Sequence, residues 1–463
     1  MRARTSHRLH AAALVAWGSS FALALSLDDP RLRFVPFVVS FVAAQLAAWG
    51  AARWAPDAGR RIDPWVVGIG AFARLWALAL APAFSDDVFR YVYEGRVVWF
   101  TDLGFPFRVP PADAPAAGVP PGVLDEAWLR INHPEVPTIY PPLAQLVFVA
   151  AGGLSLVTGL SGLAVLKAAL VTVETAVVAG LLRRRAHRRG VLYAWWLSPL
   201  AIWATAREGH VDMLSACGLA VGAAAFLRGR VALGHVGFAS AALAKLNGLV
   251  ALVASVRRAP RSLGAAMLLV ALLAAPLSFA GPSATEGLGA YATRWRSGDG
   301  VFSLFSWAAE ALLGGEWARI GSWTVTRAQL ARAMAALAWT ALVGSRLRRP
   351  ANVTRIPSDA AFLLLVLLLC APTLHPWYGV WLLPFLALRG GTDHPIALAV
   401  FVTALPLLHH AAWLELDDGV WRDLPAIRAV VHGGAWFALL AENLARRRAS
   451  AGQRIVDDVP PDP

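Results

Sequence analysis

FSDDVFRYVYEGRVVW, residues 84–99, follows directly on a hydrophobic segment and opens the longest polar stretch of the chain, residues 84–140. Its two adjacent acids, Asp86 and Asp87, stand at the edge of an apolar run, where carboxylates are costly and usually functional. The remaining sequence makes that edge a membrane edge. Of 463 residues, 57% are hydrophobic, and the mean hydropathy is +0.55. A soluble chain of this length needs far more polar surface. The sequence therefore predicts an all-α, polytopic membrane protein of about 12–14 transmembrane helices with a long outer loop carrying juxtamembrane helices. The pairing of acids with that loop points to an enzyme working at the membrane surface.

The net charge of +13 could suggest nucleic acid, but the arginines cluster between apolar segments. There they orient helices and meet anionic membrane lipids, so no nucleic-acid partner is expected. Cys217 and Cys370 both lie in apolar runs, with no disulfide framework and no metal-ligand spacing. Arg2, Arg4 and Arg8 precede an apolar run, as in a signal sequence. With many spans following and no clear small-residue cleavage site, this run reads as a retained first helix.

Arginine placement sets the expected topology. Crossings fall at residues 9–27, 34–52 and 65–82, with the N-terminus and Arg53, Arg60 and Arg61 inside and Asp86/Asp87 outside. The outer loop covers residues 84–159. Its apolar part, 141–159, is expected to lie along the outer face, because a crossing there would place Arg183, Arg184, Arg185, Arg188 and Arg189 outside. Residues 162–182, 190–205 and 211–227 then cross in turn. Segments 231–256 and 359–388 carry arginines at both ends and read as broken hairpins, bent at Lys245 and at Leu374-His375-Pro376. Arms of about 13 residues reach only ~20 Å, short of a ~30 Å core. Such breaks survive at membrane depth only where protein or a water-filled cavity satisfies the backbone. The last crossings fall at 262–280, 328–347, 395–412 and 424–444. Residues 1–445 form one module, and 446–463, with Arg446, Arg447 and Arg448, a short cytoplasmic tail with no soluble domain. Both termini are expected in the cytoplasm and the active site on the periplasmic or extracellular face of a cytoplasmic membrane.

This topology brings five polar clusters to the outer side: 86–96, 132–140, 208–212, Lys245 and 375–378. Asp86 and Arg90, Asp87 and Tyr91, and Arg90 and Glu94 are four apart and share a helix face. A carboxylate there can deprotonate a hydroxyl, and two together can share a divalent cation such as Mg, Mn or Ca. A solvated loop with ion pairs is the plain alternative. Pro134, Pro137, Pro141 and Pro142 stiffen the stretch holding His133 and Tyr140, as a site wall or as a helix-entry turn. Glu208, His210 and Asp212 alternate in a turn that can bind metal, position a sugar or orient a base, or simply join two helices. Of 42 basic residues only Lys167 and Lys245 are lysines, both in apolar segments. A buried cation needs a counter-charge or an anionic ligand. For Lys245, at a break, the natural ligand is a phosphate; snorkelling or a structural pair is the alternative. His375 can donate to a phosphate, and Trp377 and Tyr378 suit a sugar face or an interfacial belt.

The stretches SDDVFRYVYEGR, NHPEVPTIYPPLAQ, REGHVD, ALAKLNG and PTLHPWY, in this order across residues 84–384, resemble the GT-C superfamily of polytopic glycosyltransferases. They are most similar to bacterial polyprenyl-phosphate-mannose-dependent mannosyltransferases and to glycosyltransferase family 87. The resemblance implies an inverting hexose transfer, mannose favoured, from a polyprenyl-phosphate sugar to a hydroxyl of a lipid- or glycan-linked acceptor. By it Asp86 is the base and Asp87 its orienting partner, or a cation ligand where one is used. Arg90, Lys245 and His375 would contact the donor phosphate. Glu94, His133, Tyr140, Glu208, His210, Asp212, Trp377 and Tyr378 would contact sugar or acceptor. No glycine fingerprint for a nucleotide sugar is present, which fits a lipid-linked donor. Val211 before Asp212, and Tyr93-Glu94 where relatives carry Trp-Asp, depart from the family pattern and leave the sugar open. The alanine- and arginine-rich composition fits a bacterium with GC-rich DNA. A transporter or flippase of a lipid-linked or anionic substrate is the second reading, since broken helices and midplane charge suit transporters too. No internal repeat supports it. A non-catalytic assembly subunit is the third.

Overall fold

Long apolar runs punctuated by proline, glycine and arginine can satisfy their backbones in lipid only as helices, and helices dominate the chain. The structure, a computed structural model, describes residues 2–55, 61–320, 323–349, 352–418 and 422–457. Arg60 and residues 458–463 of the expected tail lie outside the described residues. Helices α1 (Arg2–Leu25) and α2 (Phe34–Trp54) pair antiparallel, with Ser6 Oγ donating to the Trp54 carbonyl and His10 beside the Ala51 carbonyl. Helix α3 (Pro64–Ala79) starts on an Asp63 cap with proline at its first position, a favourable N-terminus. The predicted crossing ran to residue 82, but the helix stops at Ala79. There Lys167 Nζ donates to the carbonyls of Leu80 (2.7 Å) and Leu78 (3.1 Å). The first of the two lysines is thus a helix C-terminal cap, where a cation meets the negative end of the dipole.

Helix α4 (Asp87–Val97) crosses α5 (Pro142–Thr158) at Gly95 and Gly152. A Cβ on Gly95 would sit 2.1 Å from the Phe148 carbonyl oxygen, so the two backbones meet there only because both positions lack side chains. Helix α6 (Gly162–Leu182) carries Glu174, which receives Arg74 Nη2 at 2.6 Å and Nε at 3.0 Å, and the Trp195 indole at 3.0 Å. Both partners of the Arg74–Glu174 pair are buried, so losing one strands a charge in a dry interior. Glu174→Gln should therefore lower stability by about 3–5 kcal/mol. Joint replacement of Arg74 and Glu174 by leucine should recover most of that, read as the thermal midpoint in detergent.

Residues 190–205, expected as one crossing, are interrupted. Val191–Trp196 and Trp203–Arg207 are π-helical stretches on either side of Leu197-Ser198-Pro199. Pro199 has no N–H to continue the ladder, and Ser198 caps the restart. This segment and α7 (Asp212–Phe226) are buried almost throughout. The first predicted break is present: α8 (Val231–Ala244) ends at Lys245, whose backbone is extended, and α9 (Asn247–Ser255) follows. Helix α10 (Leu263–Ala274) runs into a tight 3-10 stretch, then α11 (Glu286–Arg294) and α12 (Val301–Leu313).

The all-α expectation needs one correction. A hairpin of β1 (Trp317–Ile320) and β2 (Trp323–Thr326) precedes α13 (Arg327–Leu347), pairing Trp317 with Thr326 and Arg319 with Thr324. Thr326 ends β2 and caps α13 reciprocally with Gln329. Helix α14 (Ile356–Cys370) stops before the second predicted break at His375, and a 3-10 turn over Pro376–Leu382 follows. Helices α15 (Leu383–Ala387), α16 (Pro395–Ala404), α17 (His410–Asp418) and α18 (Pro425–Asp457) complete the chain, and α18 extends helix beyond residue 445, where a separate tail was expected. At one end Asp359 pairs with Arg258 at 2.6 Å and Arg346 at 3.4 Å, tying the turn after α9 to α13 and α14.

Among the described residues five helical stretches are long and apolar enough to cross a membrane: Thr5–Leu25, Phe34–Trp54, Gly162–Leu182, Val353–Cys370 and Pro395–Glu415. Six shorter apolar helices accompany them. The protein is a helical membrane protein.

Candidate active site

The acid pair owes its position to a buried carboxylate. The Glu208 oxygens accept the backbone N–H groups of Ala83 (3.1 Å) and Phe84 (3.2 Å) and the Trp203 indole N–H (2.9 Å). Glu208 thus clamps the turn leading to Ser85-Asp86-Asp87 and does not line the cavity. The next residue, Gly209, has φ +72°, and a Cβ there would meet Val88 at 2.8 Å. Only glycine lets this turn approach α4 so closely.

The acids line a cavity of about 620 Å³. Asp86, at the start of α4, leaves 54% of its side chain exposed, and its charged contact is Arg130 at 3.4 Å. Asp87 is more enclosed. One oxygen accepts from the Asn132 amide at 3.1 Å, and the other faces His210 Nδ1 at 4.0 Å. Burial pushes the Asp87 carboxyl up, but His210, the Asn132 amide, Lys245 and His375 together outweigh it and hold Asp87 below its ordinary value. A depressed folded-state pKa stabilises the fold above the unfolded value and is lost as pH falls through the folded one. Acidification below about pH 4 should therefore lower the thermal midpoint, and Asp87→Asn should flatten that slope. A midpoint-against-pH series on both proteins checks it.

Lys245 lines the same cavity as the acids. Its ammonium contacts Asp212 at 3.0 Å and lies 5.0 Å from the Tyr378 ring centroid and 5.7 Å from that of Tyr140. Asp212 also accepts the Trp381 indole N–H at 2.9 Å. The pair takes one of the three lysine N–H donors and leaves others for a ligand. Trp377 stacks on both His210 and His375, with centroids 3.9 and 4.6 Å away. His375, Trp377, Tyr378 and Tyr140 all line the cavity; His210 and Asp212 support it from behind.

Other predicted residues hold walls. Arg90 donates to the carbonyls of Asn132, His133 and Val136 at 2.7–3.0 Å. It staples the proline-rich wall to α4 with three of its five N–H donors and also lines the cavity. Glu94 is buried beneath, accepting from Gln145 at 2.6 Å and Thr138 at 2.8 Å. His133, at φ +50°, is exposed on the rim with its ring edge on Trp295.

Sequence reasoning missed one wall. Tyr291, Arg294, Trp295, Arg296 and Ser297 line the cavity from α11 and the loop beyond it. This loop docks on the second break through Ser297 N–H to the Pro372 carbonyl (3.1 Å) and Leu374 N–H to the Ser297 carbonyl (2.7 Å). The Tyr291 and Tyr378 hydroxyls are 2.7 Å apart. A signal existed: the arginine bookkeeping puts this segment outside, where arginines need a reason.

Beside the cavity runs an apolar groove of about 220 Å³, walled by Ile139, Leu288, Leu367, Leu368 and Pro372. It shares Ile139, Tyr140, Lys245, Tyr291 and Tyr378 with the cavity. For a divalent cation the fit is poor. Asp86 and Asp87 turn to different partners, and no group of three or more His, Cys, Asp or Glu among the described residues is arranged to hold one.

The chain matches no family model, no curated protein and no solved structure. Fold and cavity define a helical membrane protein with an acid-lined cavity joined to an apolar groove through a lysine.

Proposed function

We propose that this protein is an integral-membrane, inverting glycosyltransferase that moves a hexose, mannose favoured, from a polyprenyl-phosphate donor to a hydroxyl of a lipid- or glycan-linked acceptor. The observation that carries the reading is the position of Lys245, on the seam between the apolar groove and the acid-lined cavity. A polyprenyl-phosphate sugar has the same three parts in the same order. The prenyl chain would lie in the groove, the phosphate on Lys245 and the sugar in the cavity, against Trp377 and Tyr378. His375, on the same wall, supplies a second donor to the phosphate.

The reaction is one displacement. Asp86 takes the proton of the acceptor hydroxyl, whose oxygen bonds to the sugar C1 as the C1–O bond to phosphate breaks. The bonding pair leaves with the phosphate, where Lys245 offsets the developing charge. A lipid phosphate departs without a general acid. Asp87, pinned by Asn132 and held ionised by its surroundings, is the poorer proton acceptor and acts as the positioning residue. Attack from the face opposite the leaving group gives inversion. The outer, periplasmic or extracellular, face of a cytoplasmic membrane is the proposed location.

The test is sugar transfer by purified, detergent-solubilised protein, with polyprenyl-phosphate mannose and a mixed lipid acceptor extract. Radiolabel moving to acceptor supports the reading. No transfer from mannose, glucose and arabinose donors alike sinks it and favours a transporter.

A further inference from the structure

A second cleft, of about 1020 Å³, adjoins the cavity, and the two share Arg294 and Arg296. Four elements build it: the 293–296 segment, α12 through Phe302 and Ser306, the β hairpin and the first two turns of α13. Side chains alternate across a strand, and the register places Trp317 opposite Thr326 and Arg319 opposite Thr324. These four residues all line the cleft, so one whole hairpin face is turned into it. Arg327 and Arg332 enter from α13, bringing the lining arginines to five, against the single acid Glu316.

The acids nearby do not balance this charge. Arg327 pairs with Glu310 (2.7 Å) and Glu316 (2.8 Å). Arg296 shares Asp299 with Arg428, at 3.0 and 2.5 Å. Arg332 donates to the carbonyls of Thr293 (2.7 Å) and Ala328 (3.3 Å), while its Nε is buried without a partner. Arg294 and Arg319 have no acidic partner among the described residues. Guanidinium groups gathered on a cleft with surplus charge match phosphate oxygens, which they bind in forked pairs. Exposed Trp317 offers a face to a sugar ring, and Thr324 and Thr326 offer hydroxyls.

We propose that this cleft binds a phosphate group on the glycan acceptor and so delivers the acceptor hydroxyl into the cavity past Arg294 and Arg296. The proposal rests on the glycosyltransferase reading. The donor phosphate already has a cation in Lys245, at the mouth of a groove that shares no residue with this cleft.

The test is calorimetric titration of inorganic pyrophosphate, at low salt, into protein held in phosphatidylcholine nanodiscs. Three proteins are compared: wild type, Arg294→Gln/Arg319→Gln, and Lys245→Met/Asp212→Asn. Saturable binding that weakens at least about tenfold in the arginine variant and persists in the lysine variant is expected, since charge-assisted hydrogen bonds are lost only in the former. The single variant Arg319→Gln, which lies outside the cavity, should also raise KM for acceptor and leave KM for donor unchanged. No saturable binding to wild type, equal affinity in the arginine variant, or loss in the lysine variant alone overturns the proposal. Displacement of pyrophosphate by phosphatidylglycerol in the disc assigns the arginines to lipid headgroups and overturns it too. Failure of the glycosyltransferase reading shows separately, as absence of transfer by wild type.

Discussion

Asp86→Asn is expected to lower sugar transfer by about 10²–10⁴-fold, the usual contribution of a positioned general base, while leaving the fold intact. Asparagine keeps the size of the side chain and removes its capacity to take a proton. The structural cost is small because half of the side chain already meets solvent and its ion pair with Arg130 is long, at 3.4 Å. The loss should appear in kcat, with KM for the donor unchanged, because Asp86 acts on the acceptor hydroxyl. Asp87→Asn distinguishes the two acids. Its carboxylate is tied to Asn132 and faces His210, so its removal disturbs placement of the base and should cost less than loss of the base itself. Transfer retained in Asp86→Asn but lost in Asp87→Asn would move the base one residue along. Transfer retained in both would remove the acid pair from the mechanism.

How much of this was legible in the sequence depends on what each residue does. The acids at an apolar edge, Lys245 in an apolar run and the breaks at Lys245 and His375 are all conflicts between a residue and its segment. A charge where lipid is expected, or a run too long for one crossing and too short for two, is visible without coordinates. Glu208, Glu94 and Arg90 are different. Their residue type announces a polar site, but whether a carboxylate meets substrate or the N–H groups of Ala83 and Phe84 is a tertiary fact. The same holds for the buried pair Arg74 and Glu174, which are 100 residues apart. Ser198-Pro199 did carry a breaking signal inside the expected crossing, and the structure breaks there. The hairpin and the 291–297 wall lie between the expected crossings, where hydropathy alone does not mark them. The arginines there, on the side that topology normally leaves poor in positive charge, were the available clue.

Lys245 carries the second large effect. Lys245→Met should reduce transfer by about 10²–10³-fold, comparable to deleting a group that meets charge developing in a transition state. That single variant is ambiguous, however, because it also leaves Asp212 buried beside Trp381 with no cation. Stranding a buried carboxylate costs about 3–5 kcal/mol and can unfold a marginal protein. The double variant Lys245→Met/Asp212→Asn resolves the ambiguity. The amide oxygen that replaces the carboxylate would still accept the Trp381 N–H and carries no charge, so the thermal midpoint should return toward wild type. If Lys245 serves only the fold, transfer returns with it. If Lys245 meets the donor phosphate, the double variant is stable and still inactive, and Lys245→Arg, which keeps a cation on the seam between groove and cavity, regains part of the rate. A stable double variant with wild-type transfer would break the link between the groove and the acids on which the lipid-phosphate reading depends.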